Sequence, residues 1–469
     1  MQETPPSGSS TPQPLIVPSR SDPLLSAMTE PVGGPLGRRT APGVVKPGFF
    51  TVERVLVLVT AAAALLAVVL KGHCRTSGWA TPDQYSTVCY SVFPNAFLDG
   101  QLEKLVPFFS QGSPFDGPVL AGWVAGAAAW LTSAAGGGPV RQLAFFDVNA
   151  ALIALLWILT VVVAARTAGR RSWDAAIIAA SPVLILTAYV SWDFWAVAPV
   201  ALALYFFARG RAVASGAALG VAAMAAPYPV VILLALLFLG IRAGALTKML
   251  ELLAAALVSW LLVLAPVMLF NPPAFADHVK QMMAAEPTES SIYGGYNLVA
   301  QRLGLDEMHV GTVNALSAVL LVVLVLGIMA LAFYAPHPPR VGQLLFVAVA
   351  GYVVLSKDTE PWHAMWLVPL AALALPKWRP VLLWQAAVVA HFIALMLFRS
   401  KGLGNLGNQH AIDMPYFLLA AMISMLATCA LAAMVVRDIY APEHDVVARG
   451  GQDPQGGVLD PAPARAPHA

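Results

Sequence analysis

Long apolar runs separated by brief polar breaks fill most of this 469-residue chain. They begin near Val55, Leu143, Ala175, Phe194, Ala212, Pro229, Met249, Thr312, Val341, Trp362, Pro380 and Met414, and each ends at charges, Pro or Gly. A helix crossing a hydrocarbon core of about 30 Å takes about 20 apolar residues, so the pattern predicts an all-α, polytopic transmembrane bundle of about 12 spans. Several runs reach only about 15 residues and require tilt, snorkelling or a locally thinner bilayer. No fixed-period repeat underlies them. Residues 1–50 and 441–469 lack apolar periodicity and are rich in Pro and Gly. With too little apolar surface to offset chain entropy, they are expected to be disordered cytoplasmic tails around a membrane domain at 51–440. The first tail is also too long and polar for the start of a signal peptide, which leaves the first apolar run as an anchor.

One further apolar stretch, 118–134, sets the topology, because counting it as a crossing inverts everything after it. Cytoplasmic loops carry an excess of Lys and Arg. With this stretch lying on the membrane and the N-terminus inside, 18 of the 27 Lys and Arg fall on the cytoplasmic side. With it crossing, 11 do, and inverting that whole chain gives 16. The expectation is therefore a membrane-surface helix with Trp123 and Trp130 at the interface, and both termini cytoplasmic at a plasma membrane. The first extracytoplasmic loop (71–117), the second large loop (271–311), the turns at 191–193 and 227–229, and the segment 356–363 then share the outer face.

Composition narrows the classes. The chain is 58% hydrophobic and 11% charged, against about 25% charged in soluble domains. A net charge of +2 with no Lys/Arg run excludes nucleic acid as a partner. His278, His309, His363 and His391 stand apart from one another and from Cys, so no metal site is expected, and no Walker or GxSxG motif is present. No cofactor is expected. Cys429 lies in an apolar run, where a buried, inert thiol is expected. Cys74 and Cys89 share the first outer loop; they either form a disulfide, worth about 3 kcal/mol for a loop of this length, or remain free.

Polar candidates converge on the outer face. Asp193, between Trp192 and Phe194 at a helix junction, is either a functional acid or an N-cap. Asp116, before Gly117 and Pro118, is either a functional acid or a turn residue. Lys357, Asp358 and Glu360 form either a mutually paired cap or a site where Lys357, with His363, neutralises a lipid phosphate; Arg302 is a further cation for that phosphate. Tyr293, Tyr296 and Asn297 around Gly294 and Gly295, together with Trp192, suit a sugar or acceptor, although such composition is common in ordinary loops.

Residues 191–244, SWDFWAVAPVALALYFFARGRAVASGAALGVAAMAAPYPVVILLALLFLGIRAG, resemble the central region of actinobacterial membrane proteins of glycosyltransferase family 87, the polyprenol-phosphate-mannose-dependent α-mannosyltransferase group. The pieces HCRTSGW, VCYS, FFDVNA, GRRSWDAA, MWLVPLAALALPKWRPVLLWQ and VVRDIYAPEHD extend the likeness over most of 73–445. The resemblance implies a GT-C architecture and a carboxylate base near the first outer loop. That base would take a proton from an acceptor hydroxyl while polyprenyl phosphate leaves. On this likeness Asp193 matches the Asp of an NWD pattern, Asp116 an acid before YPVL, and Lys357 the Lys of NKxxxPQY, while Tyr228 joins the donor site. Two positions depart: Val92 stands where relatives have the Asp of CYSD, and Ala226 where they have the Lys of AKLYP. Asp99, seven residues beyond Val92, would share its side if the stretch is helical.

The expectation is transfer of a mannosyl or similar residue from a polyprenyl-phosphate donor to an envelope glycan or glycolipid, with Asp99, Asp116 and Asp193 as acid candidates. The alternatives are a catalytically inactive relative that binds lipid-linked sugar or acts as a scaffold, and a lipid-linked sugar transporter.

Overall fold

The structure is a computed structural model describing residues 15–18, 22–29, 51–403, 411–448 and 453–460. Among these the chain is helical, with no strand. A short α1 (Pro23–Thr29) is followed by the first long apolar helix, α2 (Val52–Leu70), and by three short helices of the first loop, α3 (Gly72–Ser77), α4 (Asp83–Ser86) and α5 (Val92–Asp99). After α6 (Val119–Leu131) come α7 (Pro139–Thr167), the broken pair α8 (Ala176–Ala179) and α9 (Pro182–Thr187), α10 (Phe194–Ala208), α11 (Ala212–Ala223), α12 (Tyr228–Arg242) and α13 (Leu246–Phe270). The second large loop forms α14 (Pro272–Ala284) and α15 (Ile292–Leu303). Then α16 (Val310–Tyr334), α17 (Val341–Leu355), α18 (Ala364–Ala374), α19 (Trp378–Leu403) and α20 (Met414–Tyr440) complete the bundle. Boundaries follow local chemistry: Thr51 Oγ1 accepts from Arg54 N–H at the start of α2, and Ser291 Oγ accepts from Gly294 N–H at 3.0 Å at the start of α15.

Six helices, α2, α7, α13, α16, α19 and α20, are long and apolar enough to cross a membrane. This is a multi-pass membrane protein. Its shorter apolar helices are sheltered by the longer ones: all of α18 is buried, and most of α10 and α17. In contrast, α13 and α16 leave Leu262, Leu269, Val319 and Val322 exposed to the surroundings. A helix enclosed by protein need not match the bilayer thickness alone, and its broken ends can be satisfied by neighbours. Trp157 Nε1, for example, donates to the Ile178 carbonyl at 3.0 Å beside the α8–α9 break. Cys429, expected to be buried, is exposed on α20.

Backbones approach closely between α11 and α13. A Cβ at Gly216 would stand 2.0 Å from the Leu252 carbonyl oxygen, and one at Gly220 2.1 Å from that of Ala256. This is the small-residue packing of helices in lipid, where association depends on close contact.

The bundle has two distinct ends. At the loop end, Lys71 closes α2 by donating to the Tyr90 carbonyl at 2.8 Å, and Val92 N–H donates to the Val190 carbonyl at 2.8 Å, joining α5 to the turn before α10. Both ends of α6 are tied here. Leu120 N–H donates to the Met224 carbonyl at 3.0 Å, and Arg141, at the start of α7, donates to the Ala129 carbonyl at 3.1 Å. Cys74 and Cys89 form a disulfide in the same region.

At the opposite, tail end the expectation of disordered tails is corrected. Residues 441–448 and 453–460 are packed: Asp445 accepts from Arg340 at 2.7 and 3.1 Å and from Gln343 at 3.0 Å. Asp453 and Gln455 accept from the Val341 and Gly342 N–H groups at 2.8 and 2.9 Å. A helix start leaves donors unpaired, and the buried Arg340 needs a counter-charge; acids of the tail meet both needs without apolar surface. Residues 15–18 and 22–29 also pack, with Ile16 N–H donating to the Arg170 carbonyl at 2.8 Å. The rest of the expected tails, 1–14, 19–21, 30–50, 449–452 and 461–469, lies outside the described residues.

Gly220→Val should lower stability by about 1–3 kcal/mol through overpacking of α11 on α13. Gly327→Val on α16, where a Cβ meets nothing, should stay near the parent; thermal unfolding in detergent compares the two.

Candidate functional site

The loop end holds a cleft of about 400 Å³ between the first loop (108–115) and the segment 270–281, within the range of small-ligand sites. Its walls join the aromatic rings of Phe108, Phe115 and Phe270 to the amides of Gln111, Asn271 and Gln281 and the hydroxyls of Ser110 and Ser113. Aromatic faces beside amides and hydroxyls suit a polar ring bearing many hydroxyls. Asp116 follows directly and is exposed, and its charge reaches His278 on the far wall. Burial pulls the His278 imidazole below its ordinary pKa, opposed by Asp116; its buried Nδ1 has no partner among the described residues. The outer wall is α14, which buries none of its residues and exposes Val279, Met282 and Met283, as a helix lying in a membrane interface does.

The acid candidates separate. Asp99 closes α5, a helix as the Val92 spacing required, and is exposed. Asp193 sits at the N-cap position of α10 but makes no cap bond; it accepts from Ser191 Oγ and, at 2.9 Å, from Trp366 Nε1. Trp366 stacks between Tyr228 (ring centroids 4.7 Å apart) and His363 (4.2 Å). Trp192 donates through Nε1 to Asn149 Oδ1 at 2.8 Å, and its ring lies 5.8 Å from Phe115. Asp193 and Asp116 thus flank one aromatic wall, with only Asp116 on the side of the cleft.

Lys357 does not form the paired cap that is one of its two expected roles. It pairs with neither Asp358 nor Glu360; its Nζ donates to the Ala285 and Met283 carbonyls at 2.8 and 3.4 Å, closing the C-terminal end of α14 where unpaired carbonyls collect. Burial lowers its pKa, offset by Asp358 and Glu286. Glu360 instead meets Arg399 at 2.6 Å, and Arg399 meets Glu289 at 2.5 Å. His363 accepts at Nδ1 from the Glu360 N–H at 3.2 Å. In the second loop, Tyr293 donates to the Leu355 carbonyl at 3.0 Å, and Asn297 both donates to and accepts from Met308 backbone at 3.3 and 2.9 Å. These two residues hold the loop together rather than facing the cleft. Tyr296 and Arg302 are exposed away from it.

Of the segments expected to share the outer face, the first loop, Asp193, the second loop and Lys357 do not all meet at one cleft. Only the two loops line it, because Trp192 and Phe115 fill the space before Asp193 and α14 takes the Lys357 ammonium. The sequence marks His278 only as standing apart from other metal-type ligands and gives no sign of Arg399 or Trp366, each in a largely apolar stretch whose partners only folding supplies. Among the described residues no group of three or more His, Cys, Asp or Glu could hold a metal ion. No protein-family model and no curated protein matches the chain.

Lys71 gives the loop end a pH response. It is 1% exposed, and burial draws its ammonium down to about 7. An ammonium whose folded pKa lies below its unfolded value stabilises the fold above the unfolded value and loses that contribution as pH falls towards the folded one. Lys71→Met should therefore raise Tm by about 3 °C more at about pH 6.5 than at about pH 9.5, read by thermal unfolding across that range.

Proposed function

We propose that this protein transfers a mannosyl or similar residue from a polyprenyl-phosphate donor to a cell-envelope glycan or glycolipid. The observation that carries the reading is the cleft: about 400 Å³, walled by aromatic rings, amides, hydroxyls and the carboxylate of Asp277, with the exposed Asp116 next in the chain to its lining residue Phe115, and bounded by a helix with the exposed apolar face of an interfacial element. A water-soluble glycan and a lipid-borne donor could meet only at such a boundary. In this reading the bundle is a GT-C-like arrangement of about 12 spans in a plasma membrane, with both termini cytoplasmic and the loop end outside. The Cys74–Cys89 bond supports that orientation, since disulfides persist on the oxidising side of a membrane.

Asp116 is the base, taking the acceptor's proton as its oxygen attacks the anomeric carbon and the phosphate leaves. Among the described residues no Lys or Arg lines the cleft, so in this reading the donor phosphate lies outside its walls. Lys357, whose Nζ donates to two carbonyls at the C-terminal end of α14, has a third donor left for a phosphate oxygen. Asp193 and Tyr228 support the wall through Trp366.

A second reading, a non-catalytic relative that binds lipid-linked sugar, is favoured by Val92 and Ala226, which stand where the resembled family has an acid and a cation, and by the full engagement of Asp193. In a transfer assay with purified protein and polyprenyl-phosphate-mannose, Asp116→Asn should lose about 10²- to 10⁴-fold in kcat. Asp99→Asn should change it little. A parent protein that binds the donor without turnover would favour the second reading, and an unaffected Asp116→Asn would remove Asp116 from the chemistry. Separately, single cysteines at positions 116 and 357 should react with a membrane-impermeant maleimide on intact cells; labelling only after lysis would reverse the orientation.

A further inference from the structure

The charge of the cleft at the loop end restricts what can enter it. Asp277 lines the cleft, and Asp116 follows Phe115 of its wall in the chain. Lys280, the cation nearest to Asp277 in sequence, is turned to that carboxylate at 3.0 Å, with both side chains more than half exposed, and is not part of the wall. A phosphate or uronate in this space would face carboxylate charge with no lining cation to meet it, the arrangement by which sites reject ligands of like charge.

What is left to hold a ligand is uncharged: three aromatic rings, three side-chain amides and two further atoms. These two, Ser113 Oγ and His278 Nδ1, are buried and have no hydrogen-bond partner among the described residues. Burial keeps the His278 pKa below its ordinary value, so at neutral pH the ring is uncharged and Nδ1 donates or accepts according to tautomer. Water in the open cleft satisfies both atoms, and a ligand that displaces it has to return those hydrogen bonds. A sugar hydroxyl does so for either tautomer, because it both donates and accepts; a phosphate oxygen or an ammonium matches only one.

The wall is also built in advance. Phe108 has φ 65°, a left-handed conformation that is costly for a residue other than glycine and persists where packing over-determines it. Its ring meets His278 edge-on, with centroids 5.8 Å apart, and lies against Gly122 of α6, where a Cβ would stand 2.6 Å from it. Ring and imidazole are therefore held as one unit, which lowers the cost of ordering them around a ligand.

We propose that the cleft holds the uncharged terminal sugar of the acceptor, with Ser113 and His278 hydrogen-bonded to its hydroxyls and the Phe108 ring against its apolar face. The donor's sugar is bonded directly to phosphate and would carry that charge into an acidic space, whereas the acceptor's terminal sugar brings none. Naming this sugar the acceptor rests on the transfer reading; the binding, and its preference for neutral sugars, does not.

The test is ligand-observed saturation-transfer NMR on the purified full-length protein in detergent, with methyl α-mannoside and mannose 6-phosphate as probes. Expected is binding of the neutral glycoside and about tenfold weaker binding of the phosphate ester. Ser113→Ala, and His278→Phe, which keeps a ring edge against Phe108 on a helix that buries none of its residues, should each weaken glycoside binding about fivefold. In the transfer assay the same variants should raise the KM for acceptor about fivefold and leave that for donor alone. No glycoside binding, equal binding of the two sugars, or variants that bind the glycoside as the parent does overturn the proposal, even where transfer is intact. A parent protein without turnover, whose glycoside binding still falls in both variants, removes the transfer reading and leaves the neutral-sugar site standing.

Discussion

Arg399 reaches from α19 to Glu289 before α15 and to Glu360 before α18, at 2.5 and 2.6 Å, and the arrangement of the loop end hangs on that reach. A largely buried guanidinium must be met by carboxylates, and removing one partner of such a group leaves an uncompensated charge in a low-dielectric interior. The two acids come from segments separated by α15, α16 and α17 in the chain. Fixing both to one residue aligns the connector that carries Lys357 and Thr359 against Thr288, which donates to their carbonyls. From there the constraint passes to α14, whose end is closed by Lys357, and so to the wall of the cleft. The cleft is shaped by an ion pair that does not touch it.

The tail end follows the same logic with the chain order reversed. Arg340 is buried at the start of α17 and takes Asp445 together with the Leu373 and Ala374 carbonyls at 3.2 and 2.9 Å. Its counter-ion arrives from beyond the last apolar helix. A bundle whose interior helices are short ends in buried polar termini, and those termini need partners from outside the helices. Both large departures from simple helix alternation, the second loop at one end and the folded C-terminal segment at the other, meet that need.

How legible this was depends on the residue. The apolar runs are visible because lipid or an apolar interior demands them, and all but the run near Ala175, which breaks into α8 and α9, coincide with a single helix. The α5 helix and the Cys74–Cys89 pair were within reach because both depend on neighbours near in sequence. One of the two readings of Lys357, a cap paired with Asp358 and Glu360, rests on the same nearness in sequence, and there the local view fails. Its nearest acids are beside it in sequence, but the connector turns its ammonium towards α14 while Arg399 takes Glu360. The C-terminal segment was misjudged because composition weighs apolar surface, whereas Asp445, Asp453 and Gln455 are held by charge and by helix-start donors.

The sequence by itself determined an all-helical, multi-pass membrane protein, because the requirement for apolar surface acts on each helix independently. It also marked the loop segments where polar chemistry gathers. Only the tertiary structure decided which of those polar residues meet: that Ser113 and His278 line one cleft, and that Asp193 is turned aside by Trp366. Hydrophobic burial is additive along a chain and can be read in order. A hydrogen bond or ion pair depends on placing two distant atoms within about 3 Å, and that placement exists only after the helices have packed.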